Sequence, residues 1–186
     1  PALFQRSVDI ALQARSGEAA LQAAQTWKRE IPSAVEASRY VLQILLALNR
    51  VEEAGKALAV SINELPLGEQ PGAIASVPRL FSVVQDKPLA ADAVEKALAQ
   101  AFTQKTTSAA AWTTVGRMRR DAGQISRAVE ASTQGHAADQ KATGPLVLAL
   151  SLLVNANSTL KPMVDAAMKT DVVPRSEEHT SELQSR

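Results

Sequence analysis

Apolar positions recur along most of this chain at three- and four-residue spacing, the period of helices with one buried face. Leu3, Phe4, Val8, Ala11 and Leu12 form the first stripe, which stops at Ser16-Gly17. Ala20, Leu21, Ala24 and Trp27 form the second, stopped before Pro32. Ser33 is placed to cap the following helix, with Glu36 completing a capping box. That helix carries Tyr40, Val41, Leu42, Ile44, Leu45, Leu46 and Leu48. It is apolar nearly all round, so it is expected between neighbours. Asn49-Arg50 turns the chain, and Ala54, Ala57, Leu58 and Ile62 lead on to Pro66.

Leu67 to Gly72 reads as a loop, with Gly68, Pro71 and Gly72 in it. Residues 73–84 read as a helix with Pro78 inside, which predicts either a kink or a later start capped by Ser76. Asp86-Lys87-Pro88 opens a helix expected to run to about Phe102. Helices near 108–121, 125–138, 145–154 and 160–169 bring the expected total to ten. The apolar run from Leu146 to Val154 is shorter than the roughly 20 residues a bilayer span needs, so it is expected to be a buried helix.

The elements repeat. Ala20 and Ala54 are offset by 34 residues, as are Pro32 and Pro66. A further unit carries Trp112, Val115, Gly116, Gly123 and Ala128. This pattern resembles the tetratricopeptide repeat family, whose units follow W-x2-L-G-x2-Y, then G, A, F, A and P. Val115 stands for Leu, Arg119 for Tyr, Ser132 for Phe and Gln140 for Pro. From Ala54 to Ala128 the chain runs 74 residues, so the unit between them carries an insertion. The resemblance covers most of residues 1–174. It implies an all-α fold, an α-solenoid of about five antiparallel helix pairs wound into a right-handed superhelix. Ala20, Ala54, Ala128 and Gly116 are expected to let paired helices approach closely.

Composition fits that reading, with 34 alanines among 46% hydrophobic residues and only 3% aromatics. Cysteine is absent, which excludes disulfides, thiolate metal sites and a cysteine nucleophile. The net charge of +1, with so few aromatics, argues against a nucleic-acid partner. No glycine-rich phosphate cradle is present. His136, near Asp139, reads as a helix-end imidazole rather than a catalytic base. Trp27 and Trp112 read as core residues. Arg117, Arg119 and Arg120 form a basic cluster that reads first as a solvated helix face and second as an anion site. No cofactor, metal or catalytic residue is expected.

In the tetratricopeptide family the first helix of each unit lines a concave groove that holds a partner segment. By that resemblance the exposed positions are Gln5, Asp9 and Gln13, then Glu36, Arg39 and Gln43, then Thr113, Arg117, Arg120 and Asp121, with Arg79 added from the irregular unit. Four arginines there would suit a protein or peptide partner of acidic character. The Lys and Asn pattern of the family's carboxylate-clamp members is absent. The expected role is a protein-interaction scaffold rather than an enzyme. The alternative is a repeat module of a larger enzyme whose catalytic domain lies outside the chain. The degenerate Ala-rich repeats are similar to those of proteobacterial envelope proteins, which implies a place in the bacterial cell envelope.

The chain opens on Pro1 without a basic, apolar leader and is read as a piece of a longer protein. Residues 175–185, RSEEHTSELQS, are what a common short-read sequencing adapter encodes, and 175–186 are read as a non-native tail. Deleting 175–186 should leave the melting temperature unchanged within error. A drop of several degrees, measured by circular dichroism, would show that the tail packs.

Overall fold

A computed structural model of the chain describes residues 2–153 and 160–169, so the tail lies outside the described residues. The helices are α1 (Ala2–Gln13), α2 (Gly17–Glu30), α3 (Val35–Ala47), α4 (Val51–Asn63), α5 (Gln70–Leu80), α6 (Lys87–Ala97), α7 (Ser108–Asp121), α8 (Ile125–Ala138), α9 (Thr143–Leu153) and α10 (Lys161–Lys169). Short 3-10 turns lie at Phe81–Val83 and Ala101–Thr103, and there is no strand among the described residues. The fold is an α-solenoid. α1 packs on α2, α3 on α4, α7 on α8, and α9 on α10, with α2 also against α3 and α8 against α9. The third unit departs from this. Its α5 packs along α7, while its α6 lies between α4 and α7.

The repeat is visible in the backbone. Arg15, Asn49 and Gly123 all have φ in the left-handed region, at 55°, 56° and 73°. Around each, the same two hydrogen bonds close the preceding helix. Ser16 N–H reaches Ala11 C=O while Arg15 N–H reaches Leu12 C=O, and Arg50/Asn49 and Gln124/Gly123 repeat the arrangement. These are Schellman turns, which satisfy carbonyls that the helix end leaves open. The first helix thus ends on Arg15 rather than at Ser16-Gly17. Gly17 lies inside α2, where a Cβ would stand 2.7 Å from Leu48 Cδ2. The capping box at Ser33 also does not form. The cap of α3 is Ala34, with no side-chain hydrogen bond, and Ile31 C=O accepts the Ala34 N–H.

Pro78 neither starts nor breaks its helix. α5 begins earlier than expected, at Gln70 with Pro71 in its first turn, where a missing N–H costs nothing. Ser76 donates to Ala73 C=O and caps nothing. Pro78 does deprive the carbonyl of Ile74, four residues back, of its helical donor. The hydroxyl of Thr114 on α7 supplies one instead, 2.9 Å away and buried. α6 is capped by Asp86, whose carboxylate accepts from Leu89 N–H at 2.9 Å. It ends at Ala97, short of the expected Phe102. Phe102 turns instead onto Trp112, ring centroids 4.3 Å apart, and the Thr107 hydroxyl holds Ala101 C=O at 2.8 Å.

One apolar cluster runs from Val8 to Met118, and a second joins Ala128 to Leu148, Leu152 and Val164. Ala20, Ala54 and Ala128 are fully buried, and so is Trp27. On α1 only Val8 is buried, and Leu3 and Leu12 face solvent. α3 and α9 bury most of their apolar side chains, although Val35 of α3 and Val147 and Leu150 of α9 are exposed.

Close approach is tightest at Gly116. A Cβ there would meet Leu148 Cδ2 at 2.3 Å and Ala131 Cβ at 3.1 Å. Gly72 has nothing within 4 Å. Alanine gains roughly 0.5–1 kcal/mol over glycine in a helix, whereas overpacking a core costs about 1–3 kcal/mol. Gly116→Ala should therefore destabilise the protein by about 1 kcal/mol, and Gly72→Ala should stabilise it by up to about that amount. Urea unfolding midpoints of the two variants check the opposite signs.

Candidate functional site

Helices stacked side by side present two broad faces, one built from first helices (α1, α3, α5, α7, α9) and one from second helices (α2, α4, α6, α8). Charge is distributed unevenly between them. Arg50, in the turn before α4, grips Glu53 through two nitrogens at 2.7 Å each and reaches Glu18 on α2 at 3.1 Å. Hydrogen bonding from Arg50 holds the Glu53 carboxyl below the usual carboxylate range. Lys28 pairs with Glu64 at 2.6 Å, and Glu64 also accepts from Ser38.

The largest of these networks centres on Arg119. Its side chain is 2% exposed. One nitrogen donates to Asp92 and Gln124, at 2.6 and 2.7 Å, and another to Glu95. Arg127 of α8 adds contacts to both carboxylates. Burial opposes the Arg119 charge, yet the bonds to Glu95 and Asp92 outweigh it and its pKa is raised. The Arg119 hydrogen bond holds the Asp92 carboxyl below its ordinary range, against a smaller opposing effect of burial. Arg119 occupies the position where the family pattern has Tyr. It is a buried tie between α6, α7 and the turn before α8, not part of a solvated or anion-binding basic cluster.

The first-helix face is different. Gln5 is exposed, while Asp9 one turn on is half-buried and accepts from Tyr40 of α3 at 3.3 Å. Arg39 and Gln43 are both exposed, spaced to share a face of α3. Gln43 lines a groove of about 420 Å³ with Ala47, Leu80 and Val83. Arg79 is exposed on α5, one turn beyond Ala75. Ala75 and half-buried Arg117 line a second groove, of about 290 Å³, floored by Ala109, Ala110 and Gly144. Thr113, expected exposed, is buried in its wall and donates to Ala109 C=O. Arg120 is half-buried and already engaged, with Asp121 at 2.8 Å and Ser151 at 3.1 Å. The side chains of Arg39, Arg79 and Arg117 make no hydrogen bond or ion pair among the described residues. The structure thus sets Gln43 and Arg117 in grooves on either side of α5, the helix that carries Arg79.

Sequence reasoning missed Asp92 and Glu95. They lie 27 and 24 residues from Arg119 on another helix, and only their three-residue spacing hints at a shared face. His136 is half-buried on α8 with a buried, unpartnered Nδ1, and makes no bond to Asp139. No group of three or more His, Asp or Glu residues able to hold a metal occurs among the described residues, and no described helix is long and apolar enough to cross a membrane.

No family model matches the chain, and no curated protein matches it. Among solved structures it is similar to the "MamA RS-1 ArsTM double mutant", at 17% identity over 91% of this chain and 95% of that one, with a TM-score of 0.46. A likeness of that size passes nothing about function to this chain.

The Arg119 network gives a stability test with a defined sign. Arg119→Ala empties a buried site and leaves two part-exposed carboxylates with Arg127 alone, at a cost of about 2 kcal/mol near neutral pH. A carboxyl with a depressed folded-state pKa stabilises above its unfolded value and loses that contribution as pH falls. For Asp92 this loss begins near the ordinary value of 3.8 and continues below it. The gap between wild type and variant in urea unfolding should therefore narrow from pH 7 to pH 3. A gap that stays constant would show that Asp92 does not depend on Arg119.

Proposed function

We propose that this chain is a non-catalytic scaffold whose first-helix face seats an acidic segment of a partner protein. The observation that carries the reading is the set of uncommitted arginines on that face. Arg50, Lys28 and Arg119, by contrast, are held by carboxylates of the chain itself. Arg39, Arg79 and Arg117 stand on successive first helices with no such partner among the described residues. Three guanidinium groups on one face favour a chain that brings several carboxylates. The groove that holds Arg117 is floored mainly by small side chains, which lets a peptide backbone approach closely. Gln5 and Gln43 would supply neutral hydrogen bonds along the same face. Asp9 and Arg120, which have internal partners, would act at its edges. The similarity of the Ala-rich repeats to envelope proteins supports a place in the bacterial cell envelope.

Each charge-assisted hydrogen bond contributes about 1.5–3 kcal/mol, and about 1.4 kcal/mol is a tenfold change in affinity. The double change Arg39→Ala with Arg117→Ala should weaken partner binding roughly a hundredfold. The test is pull-down from lysate of the native organism, with helicity checked by circular dichroism. A variant that stays helical and recovers the same partners at equal yield would end this reading.

A further inference from the structure

The second-helix face holds a groove of its own, about 460 Å³ in volume, between α4 and α6. It exists because the two helices touch with almost nothing between them. A Cβ on Gly55 would stand 3.0 Å from the Ala93 carbonyl oxygen and 3.3 Å from Ala93 Cβ. Backbones this close leave a shallow valley above the contact line. Its floor is Gly55, Ala59, Ala93 and Ala97, with Leu89 at one end.

The rim is charged in a regular order. On α4, Glu52 precedes Lys56 by four residues, and on α6, Asp92 precedes Lys96 by four. Second helices of consecutive pairs run the same way, so both acids lie toward one end and both lysines toward the other. At 1.5 Å per residue the offset is about 6 Å, close to one helical turn. These four charges are not equally available. Asp92 is held by Arg119 and Arg127. The side chains of Lys56 and Lys96 are exposed and make no hydrogen bond or ion pair among the described residues, and the same holds for Glu52. Two free ammonium groups from adjacent helices thus flank one end of an apolar valley, and a free carboxylate marks the other.

We infer that this groove docks one amphipathic α-helix of a partner protein. The helix lays small or aliphatic side chains on the alanine floor. It places a carboxylate between Lys56 and Lys96, and a basic side chain one turn away toward Glu52. The valley between two close helices is the natural seat for a third, packed ridge into groove. The charge order sets its register, since a slip of one turn would bring like charges together. The site lies on the face opposite the arginines and does not rest on the reading of that face.

Synthetic helical peptides of about 18 residues, Ala/Leu on one face, provide the probe. Three versions carry Glu and Lys four residues apart in either order, or Gln at both places. Binding to the full chain is read by fluorescence anisotropy. One charged order should bind at least tenfold more tightly than the Gln version. Lys56→Glu with Lys96→Glu should abolish that preference, and a peptide with Lys in place of its Glu should recover binding to this variant. Ala59→Trp, which fills the floor, should block every version while helicity is retained. Arg39→Ala with Arg117→Ala should change nothing, which separates this site from the first-helix face. No binding by any version, or binding indifferent to both lysines, overturns the inference.

Discussion

The Thr114 hydroxyl donates to the carbonyl of Ile74 on a neighbouring helix, out of contact with water. The bond answers a vacancy that Pro78 creates, because proline brings no N–H to the carbonyl four residues before it. A buried carbonyl left open would cost about 1–3 kcal/mol. Thr114 thereby fastens α5 to α7, and α7 is the helix on which the middle of the solenoid leans. A six-residue stretch of it presents Thr114 to α5, Gly116 to α8 and α9, and Arg119 to α6. Each contact depends on a different property: a hydroxyl, a missing Cβ and a charge. Changing any of them loosens a different neighbour.

Much of this architecture was legible along the chain. The 34-residue offset of Ala20 and Ala54 reappears in the left-handed residues Arg15 and Asn49, and the longer step from Ala54 to Ala128 reappears from Asn49 to Gly123. Apolar periodicity placed α7 and α8 at their observed limits. Local signals failed where a distant partner decides. Ser33 has the right residues for a cap, yet the backbone turn at Ile31–Ala34 takes its place. Gly17 looked like a helix stop, whereas its role is to make room for Leu48. Arginine in a left-handed turn is not a pattern that composition favours, since a side chain there is strained.

The departures from the repeat pattern follow the same logic. Arg119 and Ser132 stand where the family has aromatic residues, and both are buried. Each is engaged by a distant partner, the terminal nitrogens of Arg119 by α6 carboxylates and Ser132 by the carbonyl of Pro145 at 2.9 Å. Polar groups replace apolar packing there, and each specifies one partner instead of filling a volume. Nothing within either residue's own helix announces that partner. The candidate site is less legible for this reason. Sequence places Arg117, Arg119 and Arg120 side by side, but only the fold separates a free arginine from a buried tie and a paired one.

The irregular unit explains where the surface opens. In the neighbouring units the two helices of a pair pack along each other, but α5 and α6 scarcely touch. α5 is drawn toward α7 by Thr114, and α6 toward α4 by the Gly55–Ala93 contact and toward α7 by Arg119. The extra residues of this unit allow the separation. Helices pulled apart from their own partner leave unfilled valleys beside their new neighbours, among them one between α3 and α5, one beside α5, α7 and α9, and one between α4 and α6. A solenoid of identical units would distribute such space evenly along its length. Here one insertion concentrates it at the centre, on both faces, and the uncommitted charges Arg79, Arg117, Lys56 and Lys96 stand beside it.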